Sequence, residues 1–295
     1  MRRERLSLLN ALEPLLSNVC GRIRIPFPGA CSAVAVAPGR SATGAPILAK
    51  NFDYLPLAQP FYAVRASRPT GRLRSLDFTV APLAGAVDGI NEQGLCITYN
   101  YAFTVDAGPT TGTISMAISE ALERCTTVAE AADWIGSRPR WGGGLLMLAD
   151  ATGDIASLEL SATCSRIRRP AAGEGVLFHT NAFHTPDMCS LQVDSRAVFT
   201  NKAPVPLRGR RVLESSELRQ LRLAQLIDQA GQIGPDELAG ILSDHGPDNQ
   251  PGDYTLCVHG SYWYTTASLQ FFPCSRRLRV DYATTCSARY EELEV

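Results

Sequence analysis

Pro26-Phe-Pro-Gly-Ala-Cys31-Ser-Ala-Val-Ala-Val-Ala37 is a Pro/Gly-rich approach ending at Ala30, then a cysteine, then a run of small and β-branched residues. Such a run, bounded by turn residues, predicts a strand. Turn signals follow at Pro38-Gly39, Ser41 to Gly44 and Pro46. A second apolar run, Ile47-Leu48-Ala49, then leads into Lys50-Asn51-Phe52-Asp53-Tyr54. The two runs predict a β-hairpin over 31–54. A turn centred near Ala42 pairs residues whose numbers sum to about 84, which sets Cys31 opposite Asp53. Opposed residues share a face, with Cβ atoms roughly 4.5–5.5 Å apart. A slip of one residue would flip the face.

That pairing suggests chemistry once the chain is cut before Cys31. A freed Cys31 carries a thiol and an α-amine on one residue, and the amine can take the thiol proton directly or through a water. Asp53 would orient the amine. The bland alternative is a small cysteine buried on a strand, the usual fate of a free Cys.

Length and composition set the frame. The 295 residues are 45% hydrophobic and 19% charged, which fits a globular protein with a substantial core. The formal net charge of −1 gives no basic excess to recruit nucleic acid or an acidic membrane. The nine cysteines are scattered, odd in number and free of any CxxC spacing, so they read as reduced thiols of a cytoplasmic protein. The N-terminus is basic and then apolar, but Asn10, Glu13 and Pro14 interrupt it; it predicts a short amphipathic helix rather than a signal peptide.

Further along, residues 1–30 read as a helical lead into Cys31, and 55–75 as a loop and strand edge. A second hairpin is expected over 76–103, around the turn Asn91-Glu92-Gln93-Gly94. Helical spacing runs from Ile114 to Cys125. Thr127-Val-Ala-Glu130 is a capping box opening a second helix. Leu145 to Leu160 reads as another hairpin, and Val176 to Phe183 as a strand. Helices are expected over Leu218 to Ala230 and from Pro235 to His245, then strands over 254–259, 265–272 and 278–282. No βαβ alternation occurs, so the order predicts antiparallel sheets covered by helix pairs, an α+β four-layer sandwich. There is no internal repeat.

The remaining chemistry is sparse. The four histidines, His179, His184, His245 and His259, form no HExxH, and zinc is not expected. No GxSxG, GxGxxG or P-loop occurs. A Cys/His protease pair is formally compatible. Asn181, Asn100 and Arg219 are the polar positions that could serve Cys31. Their ordinary roles are strand-end hydrogen bonds for the amides and surface solvation for the Arg.

At these residues the sequence resembles the cysteine N-terminal-nucleophile hydrolases. These include choloylglycine hydrolases, penicillin V acylases, acid ceramidase-like enzymes and, most similar, the isopenicillin N acyltransferase family. The matching segments are Gly-Ala-Cys31-Ser, Lys50-Asn-Phe-Asp53-Tyr, Asp88-Gly-Ile-Asn-Glu-Gln-Gly-Leu95 with Tyr99-Asn100, and Leu148-Ala-Asp-Ala-Thr-Gly-Asp154. They continue with His179-Thr-Asn181, Ser215-Ser216 through Arg219, Ile241 to His245, and Leu256-Cys-Val-His259. They occur in family order over about residues 29–282. The resemblance implies an αββα sandwich and self-cleavage between Ala30 and Cys31. Residues 1–30 would be a propeptide and 31–295 the catalytic domain. Asp53 would bind the new amine, Asn181 would donate its side-chain amide to an oxyanion with the backbone N–H of Asn100, and Arg219 would sit near the thiol, with Arg222 as its rival. The chain departs from its relatives at Lys50, where they carry Arg or Gln, and at Ala30, where Gly is common. A Lys does not reproduce a bidentate Arg.

The expected function is hydrolysis of a linear N-acyl amide through a Cys31 thioester, with acyl transfer to an amine as the near alternative. A non-catalytic binding protein on the same scaffold is the third reading, favoured if the chain stays uncut. Phe61, Tyr62, Tyr101 and Phe103 are candidates for the acyl pocket. No cofactor or metal is implied. The expected partner is a small-molecule N-acyl amide, with neither nucleic acid nor membrane involved, and a homo-oligomer is compatible with the sequence.

Overall fold

Strand β1 (Ala30–Val36) explains why the chain builds layers. Ala33 and Ala35 fall in one buried cluster with Leu48, Phe52, Phe78, Met147 and Phe271. Val34 and Val36 fall in another, with Ile47, Leu223 and Leu238. Alternate residues point to opposite faces, so a strand apolar on both faces must be covered on both. One face of β1 packs on a second sheet and the other on helices.

The computed structural model describes residues 30–106, 108 and 112–295. Of the predicted 1–30 segment, only Ala30 falls within that set. One sheet has six strands in the order β10 (Val176–His179), β1, β2 (Ile47–Tyr54), β11 (Tyr264–Phe272), β12 (Arg277–Asp281) and β13 (Glu291–Glu294). The other has seven in chain order: β3 (Tyr62–Ser67), β4 (Ser75–Val80), β5 (Asp88–Asn91), β6 (Cys96–Ala102), β7 (Gly143–Ala149), β8 (Ile155–Leu160) and β9 (Ser165–Arg168). The strand pairs within both sheets are antiparallel.

Helices α1 (Ile114–Leu122) and α2 (Val128–Gly136) bury Ile118, Leu122 and Ile135 against Ile97, Leu146 and Leu158 of the seven-stranded sheet. A short turn of helix, α3 (Pro186–Cys189), follows β10. Helices α4 (Glu214–Gln229) and α5 (Pro235–Leu242) bury Leu223, Ile227, Leu238 and Ile241 against the six-stranded sheet. The layers run α, β, β, α, the four-layer sandwich expected from the element order. Among the described residues no helix is long and apolar enough to cross a membrane.

Local signals explain most boundaries. Gly94 closes the β5–β6 turn at φ 86°, and a Cβ there would lie 2.4 Å from the Pro273 carbonyl oxygen. Only glycine fits such a position. Thr127 caps α2 by accepting from the Glu130 N–H, but Glu130 returns its bond to Thr126 rather than to Thr127. Helix α4 starts at Glu214, a turn earlier than expected. The strand expected over 176–183 ends at His179, so Asn181 lies just beyond it.

Residues 254–259 are not a strand. Leu256, Cys257 and Val258 are all buried in succession, a buried loop rather than a one-sided strand. The backbone bonds of this loop go to Thr265, Gly252 and Asp244 instead of to a ladder. Strands β9 and β13, charged and largely exposed, carry too little apolar signal to be read from sequence.

Candidate active site

The β1–β2 register differs by one residue from the expected one: Cys31 opposes Phe52, and Asp53 opposes Ala30. The cause is the turn, where a 3-10 helix at Pro38–Arg40 shifts the centre off Ala42. The slip matters, because it puts the two side chains on opposite faces. The Cys31 side chain joins the cluster between the sheets, with Phe52 and Ala33. Asp53 faces the helix layer, where Thr265 donates to its Oδ1 at 2.6 Å and Arg219 Nη1 lies 4.0 Å from its Oδ2. Asp53 is linked to residue 31 through Arg219, which lies between its carboxylate and the Cys31 carbonyl, while its charge still bears on the thiol.

Arg219 is the hub on the helix side. It projects from the first turns of α4 and is 1% exposed. Its Nη1 donates to the Cys31 carbonyl at 2.7 Å and to Ser32 Oγ at 2.8 Å, its Nη2 to Asn181 Oδ1 at 2.9 Å, and its Nε to Ser215 Oγ at 3.2 Å. Arg222, the rival, turns away and pairs with Asp244 at 2.7 Å.

Asn181 closes the arrangement. Its Oδ1 accepts from the Cys31 backbone N–H at 2.9 Å, and its Nδ2 donates to the Tyr101 carbonyl at 2.9 Å. The Asn181 N–H donates to Ser216 Oγ, which ties the segment to α4. Asn100 reaches the same segment by donating from Nδ2 to the Thr180 carbonyl at 2.9 Å, and its buried Oδ1 is left without a hydrogen-bond partner. Asn181 and Arg219, far apart in sequence, thus hold the N–H and the carbonyl of residue 31 between them.

The electrostatics follow from burial. Ala30 and Cys31 are consecutive residues of β1, so this is the uncut chain. Burial pushes the Cys31 thiol up to about 11, with the Lys50 ammonium opposing that rise and the Asp53 carboxylate adding to it. Burial also pushes Asp53 up to about 7, against the pull of Arg219 and the Thr265 hydroxyl. His179 pairs with Ser157 at 2.9 Å and burial holds its imidazole well below the ordinary pKa. It is occupied as a neutral core residue rather than as a base for Cys31.

Lys50 occupies the Cys31 side of β2, facing the other sheet. Its Nζ donates to Asp88 Oδ1 at 2.7 Å and to the Tyr99 carbonyl at 2.6 Å, with both charged side chains fully buried. It is the counter-charge on the thiol's face, bolted across the two sheets. Removing one member of such a pair strands a buried charge at about 3–5 kcal/mol. Lys50→Met is accordingly expected to lose about that much stability in denaturant melts, and Lys50→Met/Asp88→Asn to recover part of it. Equal loss in the single and double variants would show that the pairing is not the cause.

The proposed pocket aromatics are divided. Tyr62 packs on Phe52 and Phe78, with ring centroids 5.5 and 5.3 Å away, and its hydroxyl meets Thr266 Oγ1 at 2.8 Å. Tyr101 and Phe103 form an edge-to-face pair beside Asn181. Phe61 is 55% exposed. Sequence reasoning missed Thr265 and Ser32. Neither type is distinctive on a strand, and only the register brings them to Asp53 and Arg219.

Comparison with known proteins agrees with this fold. Residues 40–258 match the family described as acyl-coenzyme A:6-aminopenicillanic acid acyl-transferase. Among curated proteins, none is similar enough in sequence to match. Three solved structures share the fold. An N-acylethanolamine-hydrolyzing acid amidase ortholog from Caenorhabditis elegans is 14% identical with a TM-score of 0.58, over 83% of this chain and 93% of that one. A variant of conjugated bile acid hydrolase from Clostridium perfringens is 14% identical with a TM-score of 0.59, over 90% and 92%. Penicillin V acylase from Agrobacterium tumefaciens is 12% identical with a TM-score of 0.52, over 90% and 86%. At such identities the likeness speaks for the fold alone. The family match covers most of the chain: the chain belongs to the acyl-coenzyme A:6-aminopenicillanic acid acyl-transferase family.

Proposed function

We propose that this chain cleaves itself between Ala30 and Cys31 and then hydrolyses a linear N-acyl amide through a thioester on Cys31. The observation that carries this reading is that Asn181 and Arg219 both bond the main-chain atoms of one cysteine, with the Asp53 carboxylate 4.0 Å from that same guanidinium. A cysteine that served only as core would need no buried cation and amide at its backbone.

In the first step the Cys31 sulfur attacks the Ala30 carbonyl carbon. The C–N bond breaks, the nitrogen takes the thiol's proton, and a thioester joins Ala30 to Cys31 Sγ. Water hydrolyses it, leaving a carboxylate on Ala30 and a free thiol and amine on Cys31. In turnover the thiol attacks the substrate carbonyl and the α-amine accepts its proton. Unperturbed thiols and α-amines titrate near 8.5 and 7.7–8.0, so this transfer is close to balanced. Asp53 alone would hold the amine as ammonium, the wrong form for a base; Arg219 beside it offsets that pull. The α-ammonium passes the thiol's proton to the leaving nitrogen as the C–N bond breaks and the thioester forms; water or an acceptor amine then attacks the thioester carbonyl, loses a proton and releases the acyl group with the Cys31 thiol restored. The likeness to an amidase, a bile acid hydrolase and a penicillin acylase supports amide substrates. The odd, scattered set of cysteines in the sequence supports a reducing compartment such as the cytoplasm.

The uncut chain gives a test. A thiol pushed up to about 11 is ionised to roughly one part in ten thousand at pH 7. The thiolate fraction grows about tenfold per pH unit below that value. Conversion of the uncut chain to a 31–295 fragment is expected to accelerate accordingly from pH 7 to 9, followed by mass spectrometry. The fragment should then release acid from linear N-acyl amides, with the acid-to-new-amide ratio under added amine separating hydrolase from transferase. A chain uncut at every pH would favour the binding-protein reading.

A further inference from the structure

Away from Cys31, four side chains that bind soft metals converge without any role in the chemistry above. His245 follows α5, Cys257 and His259 lie in the buried loop before β11, and Cys286 sits in a C-terminal 3-10 turn at Thr285–Ser287. One ligand atom from each lies within 4.8 Å of the other three. His259 Nε2 is 3.2 Å from His245 Nε2, 3.4 Å from Cys257 Sγ and 3.5 Å from Cys286 Sγ.

Hydrogen bonding does not account for this set. An imidazole nitrogen offers one in-plane direction, either an N–H or a lone pair, and can satisfy one of the three neighbours well. A metal accounts for all of them. Zinc bonds of about 2.0–2.1 Å to nitrogen and 2.3 Å to sulfur, at tetrahedral angles, give edges of about 3.3 Å between nitrogens and 3.6 Å between nitrogen and sulfur. The three distances lie close to those edges. The outer contacts fit as well. Tyr264 Oη lies 2.8 Å from His259 Nδ1, so it can accept the Nδ1 proton and leave Nε2 free to ligate.

We infer that His245, Cys257, His259 and Cys286 form a Cys2His2 site for zinc or a similarly thiophilic divalent cation. The spacing belongs to no common zinc motif, because the ligands come from three segments that only the fold assembles. Asn51 already joins those segments: its Nδ2 donates to the Leu242 and Leu256 carbonyls, and Thr285 Oγ1 donates to its Oδ1. Asn51 is two residues from Asp53 on β2, and Thr265, which holds Asp53, also caps the Val258 N–H. The ion would clamp the C-terminal turn onto the loop behind the catalytic carboxylate. The role is structural, with all four protein ligands filled.

The full-length protein, in wild-type and Cys31→Ala forms, is loaded with one equivalent of zinc, dialysed, and measured by elemental analysis and native mass spectrometry. Both forms should hold one zinc per chain. Cys286→Ser changes an exposed residue, and His245→Ala a half-buried one. Each should lower zinc content roughly tenfold or more. Chelation should lower the wild-type melting temperature and leave that of the variants unmoved. Cobalt(II) in place of zinc should give thiolate-to-metal charge transfer that Cys286→Ser weakens. Failure of the wild-type chain to retain zinc would overturn the assignment. So would retention by both variants, or a Cys257–Cys286 disulfide seen as a chain two hydrogens lighter under non-reducing conditions.

Discussion

A Cys31→Ala chain is expected to remain uncut and to lose amide turnover by a factor of about 10⁴ or more, the scale on which covalent catalysis fails when its nucleophile is removed. The fold should survive. Cys31 is 3% exposed in a strand whose neighbours Ala30 and Ala33 are already alanine, so the change deletes one buried sulfur and leaves a small cavity. A loss of about 1–2 kcal/mol is the expected cost. Thermal melts then separate loss of chemistry from loss of structure. Cys31→Ser is a second arm: a hydroxyl is a poorer nucleophile than a thiol, so cleavage should slow by orders of magnitude without vanishing. A Cys31→Ala protein that processes and turns over like wild type would refute both steps at once.

Arg219→Met is expected to have the next largest effect. The substitution removes the donor to the Cys31 carbonyl and to Asn181 Oδ1, and the cation facing Asp53. Loss of one preorganised donor at a reacting centre costs roughly 10²–10³ in rate. Leaving a buried carboxylate without its partner costs about 3–5 kcal/mol in stability unless that group protonates. The pH dependence distinguishes the mechanism. Asp53 stands at about 7 with Arg219 holding it down. Without Arg219 its carboxyl should stay protonated to higher pH. A proton bound by the folded state and not by the unfolded chain makes stability fall as pH rises toward the folded pKa. For the uncut Cys31→Ala chain the decline should run from about 4 to about 7, and for Cys31→Ala/Arg219→Met it should extend further. Arg219→Lys restores a charge but not the fork, and should recover stability more than rate. Identical pH profiles for the two chains would break the proposed link between Arg219 and Asp53.

The layers were legible because they rest on local periodicity. Strand β1, the Asn91–Gly94 turn, the Thr127 cap and Pro235 at the start of α5 are each specified within a few residues. The face of Asp53 was not legible. It depends on whether one turn holds an even or odd number of residues, and a 3-10 helix at Pro38–Arg40 decides that. Cys31, Asp53, Asn181 and Arg219 were nameable through the resemblance, and Arg219 over Arg222 follows once α4 is set against β1. The His245, Cys257, His259 and Cys286 cluster was hidden for a different reason. Zinc motifs are recognisable when ligands come in close pairs on one element, and here only Cys257 and His259 are near in sequence.

The central claim is that residue 31 becomes a chain terminus whose sulfur carries the acyl group. The most direct measurement is the intact mass and N-terminal sequence of wild-type protein mixed with a linear N-acyl amide and quenched in acid during turnover. The account predicts a fragment beginning at Cys31, heavier by one acyl group on its thiol, and no adduct in Cys31→Ala. An acyl group on any other residue, or an adduct on a chain still joined through Ala30, would contradict it.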